Sequence, residues 1–212
     1  MPRSVLRAPR IRSKSDRGKP SRSKPNFIWL RYTSAFPRSF LHCPPYAMSQ
    51  KHRLARFEDL PAIVEIYNST VAGRQVTADT EPISVESRHA WFYEHTPERR
   101  PLWVVEQDGK VTGWMSYSNF YGRPAYSGTA ELSIYLHEEA RGKGLGRYFL
   151  EQAIAFAPTI GVHTLLGFIF GHNEPSLILF EKFGFERWAT MPRVATLDGI
   201  ERDLIIVGKR IA

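Results

Sequence analysis

Two hydrophobic patterns follow each other in the second half of the chain. Apolar residues take alternate positions over 131–137, and this period of two predicts a β-strand. After a short acidic turn, apolar residues recur at helical spacing over 145–154, which predicts an amphipathic helix. Gly142, Gly144 and Gly146 lie between the two patterns. We therefore expect a strand, a glycine-rich turn and a helix in direct succession.

The same two periods divide the rest of the sequence into elements. Asp59 and Ser84 are residue types that cap helices, and each precedes apolar residues at helical spacing. Asp108-Gly109 is a strong hairpin signal between two strand patterns. The expected order is βααβββαβαββ, which indicates one α/β domain. Helices are expected at 59–73, 84–96, 145–157 and 173–183, and strands at 49–56, 102–106, 111–118, 131–136, 163–170, 185–191 and 203–209.

Charge is distributed unevenly along the 212 residues. The formal net charge is +8, yet residues 1–49 alone hold eleven Lys/Arg and one acidic residue, Asp16. Residues 50–212 hold the other 18 Lys/Arg and 20 Asp/Glu, so the expected domain is slightly acidic. A nucleic-acid partner would be supported by the basic segment alone. We expect no nucleic-acid partner and no membrane partner for the domain, since no run approaches the ~18 apolar residues of a membrane helix.

The basic segment 1–49 has three interpretations. The segment is rich in Arg and Ser and poor in acidic residues, which is typical of an organelle transit peptide. It could also be a basic arm for nucleic acid or anionic membrane. We favour a third: the segment is a disordered extension before the true start at Met48. Cys43, the sole cysteine, lies in it, so the domain has no disulfide, thiolate metal site or cysteine nucleophile, which suits a cytoplasmic location.

The glycine-rich turn has the properties of a phosphate site. A helix start offers free N–H groups and a positive dipole end, and Arg141 and Lys143 add side-chain charge. A Walker A loop is excluded because Gly142-Lys143 is followed by glycine instead of Ser or Thr. A Rossmann fingerprint has three glycines spread over six positions near the start of a βαβ unit. It is excluded because Gly142, Gly144 and Gly146 span only five positions and lie beyond the middle of the chain.

The remaining pattern resembles a known family. Arg141 to Gly146, Arg-Gly-Lys-Gly-Leu-Gly after an extended strand, is similar to the acetyl-CoA pyrophosphate loop of the GNAT N-acetyltransferase superfamily. Other stretches resemble the phosphinothricin/methionine sulfoximine acetyltransferase family within it. These are 66–68, 79–82, 120–126, 129–136, and Asn173 to Ser176 leading to Gly184-Phe185. The resemblance covers about 52–207 and implies the GNAT fold, a mixed central sheet with helices on both faces.

The resemblance implies acetyl-CoA as co-substrate and assigns roles to residues. Glu131 is the candidate general base that deprotonates the amine, with a strand-end salt bridge as the structural alternative. Tyr121 and Arg123, in the loop before the strand, are candidate substrate-binding residues. Main-chain groups of the strand would hold the pantetheine arm, and the glycine loop would hold the pyrophosphate. The candidate cofactor-binding residues are Ile134, Tyr135, Leu136, Arg141, Gly142, Lys143, Gly144, Leu145, Gly146, Arg147, Asn173 and Ser176.

The sequence departs from the family at several positions. Phe180 stands where many members carry a Tyr or His that can protonate the leaving thiolate, and Tyr121 and Ser127 stand where relatives often carry arginine. The resemblance implies an N-acetyltransferase that acts on a small amino-acid-like amine by direct attack, and a homodimer is one assembly it allows. Two alternatives are a protein or peptide N-acetyltransferase and a non-catalytic acetyl-CoA sensor. The histidines have no ligand-like spacing, so we expect no metal.

Overall fold

The computed structural model describes residues 51–211. The basic segment 1–49 and the proposed start at Met48 lie outside the described residues. The described part follows the order βααβββαβαββ, as the hydrophobic patterns predict. Its elements are β1 (His52–Leu54), α1 (Leu60–Asn68), α2 (His89–Tyr93), β2 (Leu102–Gln107), β3 (Lys110–Asn119), β4 (Thr129–Leu136), α3 (Leu145–Phe156), β5 (Thr164–Phe170), α4 (Glu174–Lys182), β6 (Glu186–Leu197) and β7 (Ile200–Arg210).

The strands form one mixed sheet in the order β1-β2-β3-β4-β5-β7-β6. Within the described chain, β4 and β5 are the only parallel neighbours. They share just three register positions, which end at Glu131 opposite Leu166. On its other edge, β4 stays paired with β3 as far as Leu136 opposite Gly113. The two central strands therefore separate beyond Glu131 and leave one edge of β4 unpaired.

Each face of the sheet packs against its own helices. Leu132 and Phe149 belong to the larger core cluster, where α3 and α4 cover one face. Ile63 and Trp114 belong to the second cluster, where α1 and α2 cover the opposite face. Alternate residues of β4 point to opposite faces because successive side chains of a strand alternate. Glu131, Ser133 and Tyr135 thus share the α1–α2 face. This alternation along β4 is the period of two that the sequence predicted.

Several expected boundaries were wrong in detail. Helix α1 ends at Asn68, before Gly73, and a series of turns follows. Asp59 precedes α1 but makes no capping bond to it. Its carboxylate instead accepts two hydrogen bonds from the Arg53 guanidinium, at 2.6 and 2.9 Å, and one from the Arg56 N–H at 2.6 Å. A charge-assisted, bidentate pair is stronger than a cap to a neutral amide, which explains the difference.

The last two strands are longer than the apolar pattern indicated. They form one hairpin through Asp198-Gly199, whose φ values of +50° and +77° match the turn that Asp-Gly favours. The predicted hairpin at Asp108-Gly109 has the same geometry, with φ of +51° and +76°. Strand β6 lies at the sheet edge, where the register shift between Met191 and Ala195 accommodates Pro192. Among residues 51–211, no helix is long and apolar enough to cross a membrane.

Candidate active site

The separation of β4 and β5 opens a cleft of about 660 Å³ on the α3–α4 side of the sheet. The segment from Leu132 to Leu136 forms its β4 wall, and Phe168 and Ile169 of β5 form the opposite wall. Helix α4 and the glycine-rich turn also line the cleft. The other lining residues are Thr70, Gln75, Val76, Arg141, Gly142, Gly144, Leu145, Gly146, Arg147, Asn173, Pro175, Ser176, Ile178, Leu179, Phe180 and Lys182.

The glycines of the turn serve two different purposes. Gly142 and Gly144 have φ of +71° and +85°, a region where residues with a Cβ are strained. Gly144 directly precedes α3, and the first bond of that helix runs from the Tyr148 N–H to the Gly144 carbonyl at 2.9 Å. Gly146 instead allows α3 to approach α4, since a Cβ there would lie 3.0 Å from the side chain of Leu179.

The first turn of α3 presents free backbone donors to the cleft. The N–H groups of Leu145, Gly146 and Arg147 have no partner within the helix, because helical bonding begins at Tyr148. Arg141 is fixed beside them by a hydrogen bond from its Nε to the Leu136 carbonyl at 3.2 Å. Together with the helix dipole, these donors make the end of the cleft suitable for an anion. Lys143 is exposed and is not among the residues that line the cleft.

Asn173 joins the two sides of the cleft. Its Oδ1 accepts a bond from the Ser176 N–H at 3.3 Å, so it caps α4 as the sequence indicated. Its Nδ2 donates to the carbonyl of Gln75 at 3.1 Å, in the segment that follows α1. His172 contacts the same segment, with its Nε2 2.8 Å from the Arg74 carbonyl. The segment after α1 is therefore held against the start of α4 and contributes to the cleft wall.

Phe180 lines the cleft from α4. Only 6% of the residue is exposed, and its ring packs against Phe185 with centroids 4.8 Å apart. A Cβ at Gly167 of β5 would come within 2.8 Å of this ring, so the glycine makes room for it. The position carries no proton donor, as the sequence indicated.

A second, smaller cavity of about 240 Å³ lies on the α1–α2 face of the sheet, and we call it the pocket. Ser133 and Tyr135 line both the pocket and the cleft, so the two cavities meet at β4. The pocket has an apolar side and a polar side. Ile63, Val64, Ile83, Trp91 and Trp114 form the first, and Tyr67, Arg88, Ser116, Ser118, Glu131, Ser133 and Tyr135 form the second.

Glu131 lines the pocket at the point where β4 and β5 separate. In the described part of the chain, its carboxylate makes no ion pair and no hydrogen bond, so the alternative of a strand-end salt bridge has no support. Burial raises the pKa of Glu131, because removal from water disfavours the charged form. A carboxylate with a raised pKa is more basic than an exposed one, and it can accept a proton within the pocket.

A polar network faces Glu131 from α1 and the loop after it. The Tyr67 hydroxyl donates to Asp79 at 2.5 Å and also bonds to Thr77. The Arg88 guanidinium lies 4.9 Å from the centroid of the Tyr67 ring. These residues were missed as site residues, although Tyr67 and Asp79 fall in stretches that carry the family resemblance. For Arg88, the available signal was its place three residues before Trp91 on the predicted helix.

The loop 120–127 does not reach the pocket. Tyr121 is 77% exposed and Arg123 is exposed, and neither lines the cleft or the pocket. Tyr121 packs instead against Phe120, with ring centroids 4.5 Å apart. Their substrate-binding role stays a prediction. Among residues 51–211, no group of three or more His, Cys, Asp and Glu side chains is arranged to hold a metal ion.

Comparison with known proteins connects this arrangement to a family. Residues 60–185 match the Acetyltransferase (GNAT) family, and the match includes α1 and every residue that lines the cleft or the pocket. YwnH of Bacillus subtilis, whose name proposes phosphinothricin acetyltransferase activity, is 54% identical over 161 residues. Those residues make up 76% of this chain and 98% of YwnH.

Two further relatives have narrower descriptions. An L-methionine sulfoximine/L-methionine sulfone acetyltransferase of Pseudomonas aeruginosa is 34% identical over 158 residues, 74% of this chain and 92% of that protein. A GNAT superfamily phosphinothricin acetyltransferase from Sinorhizobium meliloti, crystallised in complex with acetyl-CoA, is 30% identical and superposes with a TM-score of 0.74. That superposition covers 78% of this chain and 90% of the other.

Proposed function

This chain belongs to the GNAT acetyltransferase family, and we propose that it transfers the acetyl group of acetyl-CoA to the amine of a small amino-acid-like substrate. The observation that carries this proposal is the separation of β4 and β5 directly after Glu131. It joins a long cleft, suited to acetyl-CoA, to a pocket that contains a basic carboxylate. In this proposal residues 50–212 form the acetyltransferase domain.

The β4 edge of the cleft is the proposed site of the pantetheine arm. Beyond Glu131, main-chain groups on this edge of β4 have no partner on β5. Such unpaired groups can bind an extended ligand in the way that they would bind an additional strand. We assign this role to the main chain of Ile134, Tyr135 and Leu136, which line the cleft. The Ile134 side chain packs against the core, so its position in the cleft wall is set by packing.

The glycine-rich turn is the proposed pyrophosphate site. Backbone N–H groups from Gly142 to Arg147 would bind the phosphate oxygens, because the turn leads directly into the start of α3, where the N–H groups of Leu145, Gly146 and Arg147 have no partner within the helix. Arg141 and Lys143 would add positive charge near the same end of the cleft. Asn173 and Ser176 would contact the cofactor from the opposite wall, as both line the cleft at the start of α4.

Acetyl transfer then follows from the position of Glu131. The carboxylate of Glu131 takes a proton from the substrate ammonium, directly or through water, and leaves a neutral, nucleophilic amine. The amine nitrogen attacks the thioester carbonyl carbon and a C–N bond forms. The nitrogen then gives its second proton to water, and the C–S bond breaks as the oxyanion collapses. The CoA thiolate leaves and takes its proton from water, because Phe180 cannot supply one. The products are the N-acetylated amine and CoA.

The size of the pocket supports a small substrate over a peptide. A volume of about 240 Å³ is below the ~300–1,000 Å³ typical of drug-sized ligand sites, and matches a single amino acid better than a peptide. The relatives named above act, by their names, on amino-acid analogues: phosphinothricin, methionine sulfoximine and methionine sulfone. A groove open along the sheet would be expected for a protein substrate.

A turnover screen tests the proposed function. The full chain would be incubated with acetyl-CoA and single amines from four classes: amino acids, sulfoximines, polyamines and peptides, with release of the CoA thiol as the readout. We expect turnover with at least one amino acid or sulfoximine. Turnover with peptides alone would favour a protein N-acetyltransferase. Binding of acetyl-CoA without turnover on any amine would favour the sensor alternative and overturn the proposal.

A further inference from the structure

We infer that Arg88 binds the carboxylate of the amino-acid substrate, while the substrate ammonium group faces Glu131. This inference rests on the proposed acetyl transfer and assigns a specificity-determining residue in the same pocket. It differs from the prediction that Arg123 binds the substrate, because Arg123 does not line the pocket.

The charges of the pocket lining match a zwitterion. Twelve residues line the pocket, and Arg88 is the only cation and Glu131 the only carboxylate among them. They come from separate elements, the turn before α2 and β4, so the two charges face a shared space from different walls. An amine without a carboxylate would leave the guanidinium facing the substrate without a hydrogen-bond partner. A zwitterion satisfies both charges at once.

Arg88 is held in position but keeps its hydrogen-bonding capacity. Its guanidinium lies over the rings of Tyr67 and Trp91, at 4.9 and 5.6 Å from their centroids. Within residues 51–211 it makes no hydrogen bond, so its five N–H donors remain available. The aromatic contacts restrain the planar group, and a restrained guanidinium binds a carboxylate bidentately at a smaller entropic cost.

Asp79 is the one acidic residue that competes for Arg88 in the described chain. The two form an ion pair of 3.6 Å between Arg88 Nη2 and Asp79 Oδ2, which is too long for a hydrogen bond. The same Oδ2 already accepts the Tyr67 hydroxyl at 2.5 Å. Asp79 therefore orients Arg88 by charge and leaves its donors for another carboxylate. With 28% of the Arg88 side chain exposed, a ligand can reach it from the pocket.

The other residues that line the pocket indicate which substrate side chain it can accommodate. Trp114 and Ile63 belong to the apolar side of the pocket, which would cover the substrate side chain. Ser116, Ser118 and Ser133 offer hydroxyl groups on the β3–β4 side, where they can bond to polar atoms of that side chain. The pocket thus suits an amino acid whose side chain is mostly apolar and carries one polar group.

The test compares a carboxylate substrate with its neutral analogue. Steady-state kinetics would be measured with L-methionine sulfone and with its carboxamide, for the wild type and for Arg88→Met, Arg88→Lys, Arg123→Met and Arg99→Met. Hydrogen bonds to a charged group contribute about 1.5–3 kcal/mol, which corresponds to a loss of roughly 10- to 150-fold. We expect Arg88→Met to lose that much in kcat/KM with the acid, mainly through KM, and less than threefold with the carboxamide. Arg88→Lys should lose less than Arg88→Met, because it keeps the charge.

Arg99→Met is the matched control. Arg99 is exposed, and its hydrogen bonds involve only its backbone: the N–H donates to the Thr96 carbonyl and the carbonyl accepts from Arg100. Both substrates should therefore react with the variant as with the wild type. Melting temperature and calorimetric acetyl-CoA affinity would show that each variant is folded with an intact cleft. We also expect kcat/KM of the wild type to be at least tenfold higher for the acid than for the carboxamide, a comparison that requires no variant.

Three results would overturn the inference. The first is an equal loss for the acid and the carboxamide in Arg88→Met. The second is a carboxylate-specific loss in Arg123→Met instead of Arg88→Met. The third is a wild type that acetylates amines without regard to the carboxylate, which contradicts this inference while the proposed acetyl transfer stands. Failure to acetylate any amine would instead contradict the proposed function itself.

Discussion

Glu131 faces Leu166 at the last register position where β4 and β5 run side by side. Its side chain lines the pocket, whereas the β4 main chain just beyond it lines the cleft. One residue thus marks the junction between the space for the amine and the space for the thioester. Because the junction is set by the sheet itself, the proposed base keeps its position without a hydrogen bond from a neighbouring side chain.

Glu131→Gln tests the role of that carboxylate. The amide keeps the shape of the side chain but cannot accept the proton, so kcat/KM should fall by about 10²–10⁴. In the wild type, kcat/KM should rise with pH along an acidic limb, because the base works only when deprotonated. Burial raises the pKa of Glu131, so the limb should lie above the ordinary range of a glutamate.

The matched control for this experiment is Glu65→Gln on the exposed side of α1. It should leave both the rate and the pH profile unchanged. Wild-type kinetics in Glu131→Gln, with the same acidic limb, would make Glu131 a structural residue. The base would then have to be His172, water or the substrate itself.

Glu131→Gln should also stabilise the fold at neutral and alkaline pH. A carboxyl whose pKa is raised in the folded state binds its proton more tightly there than in the unfolded chain. Its contribution to stability is present at low pH and is lost as the pH rises through the raised pKa. Glu131→Gln removes this dependence, so its melting temperature should exceed that of the wild type at pH 8 and approach it at pH 4. A lower melting temperature at pH 8 would show that the carboxylate is stabilised by contacts in the fold.

The glycine-rich turn and the capped start of α4 could be predicted because their signals are local. Gly144 lies between a segment whose apolar residues alternate and a segment whose apolar residues have helical spacing. Asn173 caps the helix that follows it. Arg88 and Tyr67 could not be assigned to the site, since they reach Glu131 only through packing of α1 and α2 on the sheet. The exposed position of Arg123 is likewise set by the path of its loop, which hydrophobic periodicity does not encode.

Gly144→Asp tests the proposed pyrophosphate site. The substitution places a negative charge at the start of α3, where the helix dipole and free N–H groups favour an anion. Acetyl-CoA affinity, measured by calorimetry, should fall at least tenfold, or about 1.4 kcal/mol. Gly144→Ala is the control, because it introduces the strain of a Cβ at a φ of +85° without the charge. Equal affinities for Gly144→Asp and the wild type, in a folded variant, would remove the site from the turn.

A chain that begins at Met48 should fold and react like the full chain. The charge of +10 over residues 1–49 is separate from the slightly acidic remainder, and every residue proposed for the site lies beyond position 62. We expect the melting temperature to stay within about 2 °C of that of the full chain and kcat/KM to stay within about twofold. Differences of this size are on the order of those caused by single surface substitutions. A loss of several degrees or of most activity would show that the segment contributes to the domain.

Phe180→Tyr tests how the CoA thiolate is protonated. The wild type has no side-chain acid at this position of the cleft wall, so its profile should show no fall at high pH from a titrating tyrosine. Phe180 is almost fully buried and packs against Phe185, which leaves the added hydroxyl in or beside the cleft. A phenol there can donate a proton to the thiolate, so kcat should rise and a new alkaline limb should appear near a tyrosine pKa of about 10. Phe185→Tyr is the control, since Phe185 is buried beside Phe180 but does not line the cleft. An unchanged kcat and profile in a folded Phe180→Tyr variant would mean that departure of the thiolate does not limit turnover.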